Sequence, residues 1–435
     1  MNIKNENRFI FNIYLIYIMS ATSKKFHYEV PARASSSRAI RNVVLPSNGS
    51  SFPASSTIVL DVGSGQNNTY LDWTSTYLKL KLTNSDGSVN KINGSGWLSA
   101  VKKISIELGS QVVYSCDNYG ALYSAMMTLD ASKQFKENAG ATLFGAGADA
   151  DGASIASTGS RTVCVPLLLT PFVGANKYFP MFSREGLRIR IELNSAASGY
   201  TAVTTGVTDA QMVVSDVELV TYSIEVGAEV QAQIMAASGG AIRLACPSFQ
   251  SFQTSMSDTT TTITANLGFS VSSLNRLLII QQQSTILDTD NSIDSRSKNE
   301  LTEFFVQIGN QKYPQRNIKV DAEGSEALAE ALVSQRALTT FGHQSSINDV
   351  GGWALDDGSG AGKANIGSFV AEIDLESQFS AAGGLVSGVN TIGSNVQLTM
   401  NYSAAIGTAQ TLTVYAEHSI LVSLDLATNT FSIAV

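Results

Sequence analysis

The same structural phrase occurs twice in this chain, and that repeat limits the possible folds more than any single motif does. Lys103-Ile104-Ser105-Ile106-Glu107-Leu108 alternates polar and apolar residues, meets the turn Gly109-Ser110 and continues as Gln111-Val112-Val113-Tyr114. Phe304-Phe305-Val306-Gln307-Ile308 meets Gly309-Asn310 and continues as Gln311-Lys312-Tyr313. The two turn glycines stand 200 residues apart. Each hairpin leads into a helix-like stretch, Asp117 to about Lys136 and about Ser325 to Leu338. A Gly/Ala/Ser-rich loop follows each helix, Ala139–Ser160 and Ser345–Asn365, and further strands follow each loop. Short alternating runs joined by two-residue turns are hairpins. One such unit used twice predicts two homologous β-domains in tandem, with both loops at the same end of their domains.

The remaining runs keep the same order in both halves. Tyr77-Leu78-Lys79-Leu80-Lys81-Leu82 and Leu187-Arg188-Ile189-Arg190-Ile191-Glu192-Leu193 each place their apolar residues on one face. Thr57–Val62 precedes them, Arg161–Leu169 lies between, and Met212–Val226 closes the first half. In the second half Thr261–Leu267 and Leu277-Leu278-Ile279-Ile280 come early. Phe369–Leu375, Val396–Met400, Thr411–Leu424 and Phe431–Val435 follow. In the first helix Tyr119, Leu122, Met126 and Leu129 form a stripe, which reads as core packing. Gly227–Gly240 reads as a short helical connector. The expected division is a leader and arm over 1–42, a first domain over 43–226, a connector over 227–242 and a second domain over 243–435.

Hydrophobic residues make up 44% of the 435 residues and charged residues 15%, below the usual quarter. A chain so poor in charge is not disordered. It is expected to cover much of its surface with neighbours, through an extensive and weakly charged contact. A net charge of −8 and a pI near 5.0 argue against the body of the protein binding nucleic acid. The N-terminal segment differs. From Thr22 to Asn42, Lys24, Lys25, Arg33, Arg38 and Arg41 face a single acid, Glu29. That segment reads as a basic arm, either a solvated tail or a contact with a polyanion or a neighbouring subunit. Phe9–Met19 is apolar, follows Lys4 and Arg8, and is too short for a membrane span. It resembles a signal peptide, and the competing reading is a dispensable leader or translated upstream sequence with Met19 as the start, which is preferred because the rest of the chain does not look secreted.

Together these runs describe two eight-stranded antiparallel sandwiches in tandem, each with a helix and long loops, an all-β architecture. Leu71-Asp72-Trp73-Thr74-Ser75-Thr76-Tyr77-Leu78, Trp97-Leu98, Val165-Pro166-Leu167-Leu168 and Tyr178-Phe179-Pro180-Met181 carry a resemblance in the first half. Gly388–Tyr402 and Thr411–Leu424 carry it in the second. From about Thr22 to Val435 the chain resembles the double jelly-roll major capsid proteins of adenovirus-like viruses and tailless, membrane-containing phages. The resemblance implies two tandem jelly rolls and homotrimers with a pseudo-hexagonal outline that tile an icosahedral virion shell. It implies partners in the chain itself, neighbouring trimers, and penton and minor capsid proteins. Through the arm it implies an internal membrane or the genome. It implies no enzyme activity, cofactor or small-molecule substrate. The chain is short for that family and has no very large tower insertions.

Catalytic and metal patterns were sought and none formed. His27, His343 and His418 match no metal spacing. Cys116, Cys164 and Cys246 give no disulfide framework and read as buried thiols in a reducing compartment. Gly358-Ser359-Gly360-Ala361-Gly362-Lys363 misses the phosphate-loop pattern, since Asp357 replaces a glycine and Ala364 follows the lysine. Asp288, Asp290, Asn291 and Asp294 break calcium-loop spacing at Ile293 and Asn299. Asn93-Gly94-Ser95 and Asn401-Tyr402-Ser403 match the short glycosylation pattern. The rival function is a secreted two-domain adhesin or carbohydrate-binding protein, with Trp73, Trp97 and Trp353 as stacking platforms.

Overall fold

Alternation in the sequence becomes sheet faces in the structure. The computed structural model describes residues 37–65, 68–147, 151–175, 177–183, 185–202, 207–284, 293, 296–338, 353, 368–376 and 387–434. The first half opens with β1 (Ser37–Val44), β2 (Ser51–Pro53), β3 (Thr57–Val62), β4 (Thr69–Asn84) and β5 (Asn90–Asn93). The hairpin β6 (Val101–Leu108) and β7 (Gln111–Asp117) leads into helix α1 (Tyr119–Asp130). β8 (Asp151–Ile155), β9 (Ser160–Pro166) and β10 (Phe179–Pro180) come next. β11 (Leu187–Leu193), β12 (Tyr200–Ala202) and β13 (Met212–Val226) finish that half.

Helix α2 (Ala228–Ala237) leads to β14 (Ala241–Met256), β15 (Thr262–Asn266) and β16 (Leu274–Gln283). The second hairpin is β17 (Leu301–Ile308) and β18 (Gln311–Lys319), followed by α3 (Ser325–Ser334). β19 (Ala371–Asp374), β20 (Val396–Tyr402), β21 (Gln410–Asp425) and β22 (Thr430–Ala434) complete the chain.

Sheet order proves the repeat. In the first half one sheet runs β1-β13-β4, with β2 also on β13 and β9 and β10 also on β4, and the facing sheet runs β3-β11-β6-β7. In the second half the sheets run β14-β21-β16-β19 and β15-β20-β17-β18, with β22 added to β21. Matched by position, the orders are the same, and every resolved strand pairing within them is antiparallel. Each half is a jelly roll. Both hairpins turn on a glycine with positive φ, 60° at Gly109 and 58° at Gly309, where a side chain would be strained. Leu187, Ile189, Ile191 and Leu193 enter the first core, while Arg188 and Arg190 face outward to Asp61 and Glu107.

Several expectations change. Residues 37–42, read as the end of the arm, are strand: β1 begins at Ser37 and lies beside β13. Ala139–Ser160 is not a plain loop, because Lys136–Leu143 is helical turn and β8 pairs with β5. Its counterpart Ser345–Asn365 lies outside the described residues apart from Trp353. β14 carries no alternation that marks it, and Pro247 within it reads against a strand. It sits at a sheet edge, where proline's missing N–H is tolerated.

Candidate assembly interface: the junction between the rolls

The helix after the first hairpin was expected to bury one stripe. All of it from Tyr119 to Leu129 is buried. Its small residues explain the other face. Gly120 lies so close to the preceding chain that a Cβ there would sit 2.1 Å from the Ser99 carbonyl oxygen. Ser124 and Thr128 meet the second roll: the Arg296 guanidinium donates to the Ser124 hydroxyl at 2.8 Å and the Thr128 hydroxyl at 2.7 Å. A helix buried all round needs cover on every side. Here both rolls supply it.

Three further contacts lie along the seam. The Tyr415 hydroxyl of β21 donates to the Asn118 carbonyl at 2.8 Å, just ahead of α1. Gly174, in the helical turn after β9, faces Pro247 of β14 so tightly that a Cβ would meet the proline Cγ at 2.2 Å. Phe179 of β10 stacks on Phe431 of β22 with ring centroids 5.4 Å apart.

Under α1 the second roll's sheet carries a buried polar row. Cross-strand partners share a face, so Leu278, Tyr415 and Glu372 lie side by side, as do Arg276, Glu417 and Asp374. Arg276 pairs closely with Glu417, while Glu372 is the more distant carboxylate at 3.8 Å. Burial, opposed in part by Arg276, pushes the Glu372 carboxyl up to about 7. The Arg276 guanidinium is desolvated too, but Glu417 and Glu372 together hold it charged and its pKa rises. The close ion pair is therefore Arg276–Glu417, and Glu372 is the carboxyl that burial makes easiest to protonate. The Gln335 amide donates to both Glu372 oxygens, at 3.0 and 3.2 Å, and reaches Met126 of α1.

The residues singled out from sequence fall elsewhere. Lys24, Lys25 and Arg33 lie outside the described residues, as do His27, His343, the Gly358–Lys363 run and Asp288, Asp290, Asn291 and Asp294. Arg38 and Arg41 lie on β1, and Arg41 donates to the Tyr77 hydroxyl at 3.5 Å. Trp73, Trp97 and Trp353 are all buried, which removes the stacking platforms of the adhesin reading. Trp73 stacks on Phe172, Trp97 donates to the Tyr200 hydroxyl, and Trp353 donates to the Gly324 carbonyl. Cys116 and Cys246 are buried thiols pushed up to about 12, and Cys164 is half-buried. Asn93 is buried and donates to the Gly199 carbonyl, so it is no glycan acceptor in this fold. Among the described residues no cluster could hold a metal ion and no helix is long and apolar enough to cross a membrane. Sequence reading missed Arg296, Glu372 and Gly120. The only signal for any of them was a run of small residues in α1.

No known family model and no curated protein matches the sequence. Solved structures do match it. The Faustovirus major capsid protein superposes with a TM-score of 0.65 at 8% identity, covering 94% of this chain and 94% of that one. PBCV-1 VP54, fitted into a reconstruction of the virophage Sputnik, gives 0.63 at 12% identity over 94% and 99%. The fold is the double jelly roll. The mavirus major capsid protein shares it, with a TM-score of 0.53 at 9% identity over 96% and 94%. The double jelly roll spans nearly the whole of each chain compared, so the match covers both rolls and the junction between them. At 8–12% identity what is shared is the backbone plan.

Proposed function

We propose that this protein is a viral major capsid protein, a structural and non-enzymatic component of the virion. It assembles as homotrimers of pseudo-hexagonal outline that tile an icosahedral shell. The observation that carries this is one sandwich topology used twice in a single chain, in a fold shared end to end with three major capsid proteins. Three chains with two similar rolls each present six similar walls, which suits hexagonal packing from threefold symmetry. The rolls run over 37–226 and 241–435 with 227–240 as connector, so the expected starts at 43 and 243 move to the first residues of β1 and β14.

Neighbouring trimers, penton proteins and minor capsid proteins are its proposed partners. The basic residues Lys24, Lys25 and Arg33 make the N-terminal segment the candidate contact with an internal membrane or the genome, each favoured by roughly 1 kcal/mol per base near an anionic surface. Electron microscopy and sedimentation of the purified full chain test the reading. Trimers that go on to closed shells are expected, and a stable monomer at micromolar concentration would overturn it. Deletion of residues 1–36, which spares β1, should leave trimers intact and impair shell formation. Normal shells from that variant would remove the role given to the arm.

A further inference from the structure

One corner of the seam between the rolls is crowded with acid. The second roll's sheet brings Arg276, Glu417, Asp374 and Glu372 onto one face beneath α1 and α3. Glu376 follows β19, Glu330 lies on α3, and Asp130 closes α1. Two guanidinium groups, Arg276 and Arg336, stand against these carboxyl groups among the described residues. Arg276 pairs closely with Glu417, and Arg336 with Glu376. Glu372 is fully enclosed, and the nearer guanidinium, already paired, stays 3.8 Å away.

Gln335, the residue after α3, pins this corner. Its amide donates to both Glu372 oxygens, at 3.0 and 3.2 Å, and reaches the Met126 sulfur of α1 at 3.7 Å. One side chain thus ties α3 and β19 to the first roll. The tied parts are unequally held. α1 is buried from Tyr119 to Leu129. β19 is a four-residue strand at the edge of its sheet. α3 buries only Ala327, Ala331 and Ser334, and Arg336 beyond it is 44% exposed at φ 57°. The part free to lift is therefore the end of α3. The bonds from Arg296 to Ser124 and Thr128, and from Tyr415 to Asn118, do not depend on Gln335.

A buried carboxylate beside an arginine that is already paired is a poorly compensated charge, and such charge is costly in a dry site. Burial accordingly pushes the Glu372 carboxyl up to about 7; Arg276, Ser334 and Gln335 oppose the rise and Asp130 adds to it. Burial raises Asp374, Glu376 and Glu330 as well. Once the end of α3 lifts, water reaches Glu372 and its charge is no longer penalised.

We propose that this corner is a proton-operated latch between the rolls: Glu372 holds a proton while Gln335 keeps α3 on α1, and gives it to water when the corner opens. The sign follows from linkage. The closed corner binds the proton more tightly than the open one, so closure is favoured in full below about pH 4.5. That advantage is lost as pH rises to about 7, and above 7 nothing further is lost. Mild acid tightens the seam and neutral pH loosens it. The latch belongs to the single chain and does not rest on the capsid reading.

Site-resolved hydrogen exchange of the full chain tests it. The reporters are the amides of Gln335, Arg336 and Ala337, bonded to carbonyls of α3, and of Leu375, bonded to Asn275. After division by the intrinsic rate, their exchange should quicken at least tenfold from pH 5 to 7 and level off by pH 8. Amides of β11 in the first core should show no such rise. In E372Q, which cannot release the proton, the reporters should be flat across the range. Should E372Q not fold, the contrast between reporters and β11 in the parent protein decides. A parent whose reporters follow intrinsic chemistry alone, or rise no more than β11, overturns the latch. So does an E372Q variant that keeps the parent's rise, since another carboxyl would then be the one that titrates.

Discussion

The central strand β16 of the second roll's sheet is buried on both faces, and its twin β4 in the first roll is buried on one over Tyr77–Leu82. Strand β16 shows the consequence in its residues: Leu277, Leu278, Ile279 and Ile280 are all buried, a continuous apolar run. Strand β4, its twin, alternates buried Leu78, Leu80 and Leu82 with half-buried Lys79 and Lys81. Sheets covered on both sides read as continuous runs, and sheets with one wet face read as alternation. Duplication therefore copied the strand order and left each copy's outer face to suit its own neighbour. One neighbour lies inside the chain. The other face stands open among the described residues.

The largest way to break this asymmetry is at Gly120. Gly120→Ala should cost on the order of 3 kcal/mol or prevent folding, because the new methyl meets backbone carbonyls of Ser99 and Val101 that cannot turn aside. Ala329→Leu on the partly open α3 should cost less than about 1 kcal/mol. Denaturant melts of the two variants check the contrast. Equal losses would mean that α3 is as tightly enclosed as α1.

Glu372→Gln sharpens the comparison through pH. Burial disfavours the charge of the Glu372 carboxyl and pushes it up to about 7 in the folded protein, from the ordinary glutamate value of 4.5. Between those values the folded state holds a proton that the unfolded chain has released. This group's stabilisation is thus full below about 4.5 and is lost as pH rises through 7. The change amounts to about 3 kcal/mol at most. Asp374, Glu376 and Glu330, also raised by burial, act in the same direction. Asp61 and Glu303, lowered by Arg188 and Lys319, lose their contributions only at more acid pH. Melting temperatures from pH 5 to 8 should fall for the parent protein and fall less for E372Q.

Arg296→Met removes the charged donor to Ser124 and Thr128 and should cost about 2 kcal/mol. Tyr415→Phe removes one neutral hydrogen bond to Asn118 and should cost about 1 kcal/mol. On the open sheet Lys79→Ala breaks a 3.0 Å pair with Glu218 whose lysine is 40% exposed, and should change stability by less than about 1 kcal/mol. Urea melts should return that order. A Lys79→Ala loss as large as that of Arg296→Met would show that the open face is enclosed within a single chain.

The repeat, the all-β class, both hairpins and the inward residues of β4, β6, β11 and β20 were legible in the sequence. Each depends on a period of two or on a turn glycine, and such local rules hold whatever the rest of the chain does. The run at Leu277–Ile280 and the alternation at Tyr77–Leu82 carry the difference between the covered and the open strand, but the sequence reading took both simply as strands. Tertiary structure alone decided what covers them. Ser124 and Thr128 are ordinary helix residues until Arg296, far along the chain, reaches them. Glu372 is an ordinary carboxylate until α1 and Gln335 exclude water from it. The break between β1 and β2 is a matter of which sheet residues 45–50 join, and no local period encodes that choice. β14, with Pro247 in its course, is a strand only because β21 is long enough to hold it from end to end. Periodicity says which side of a strand is apolar, but burial is a property of whatever stands opposite, and that is supplied by distant residues or by another chain.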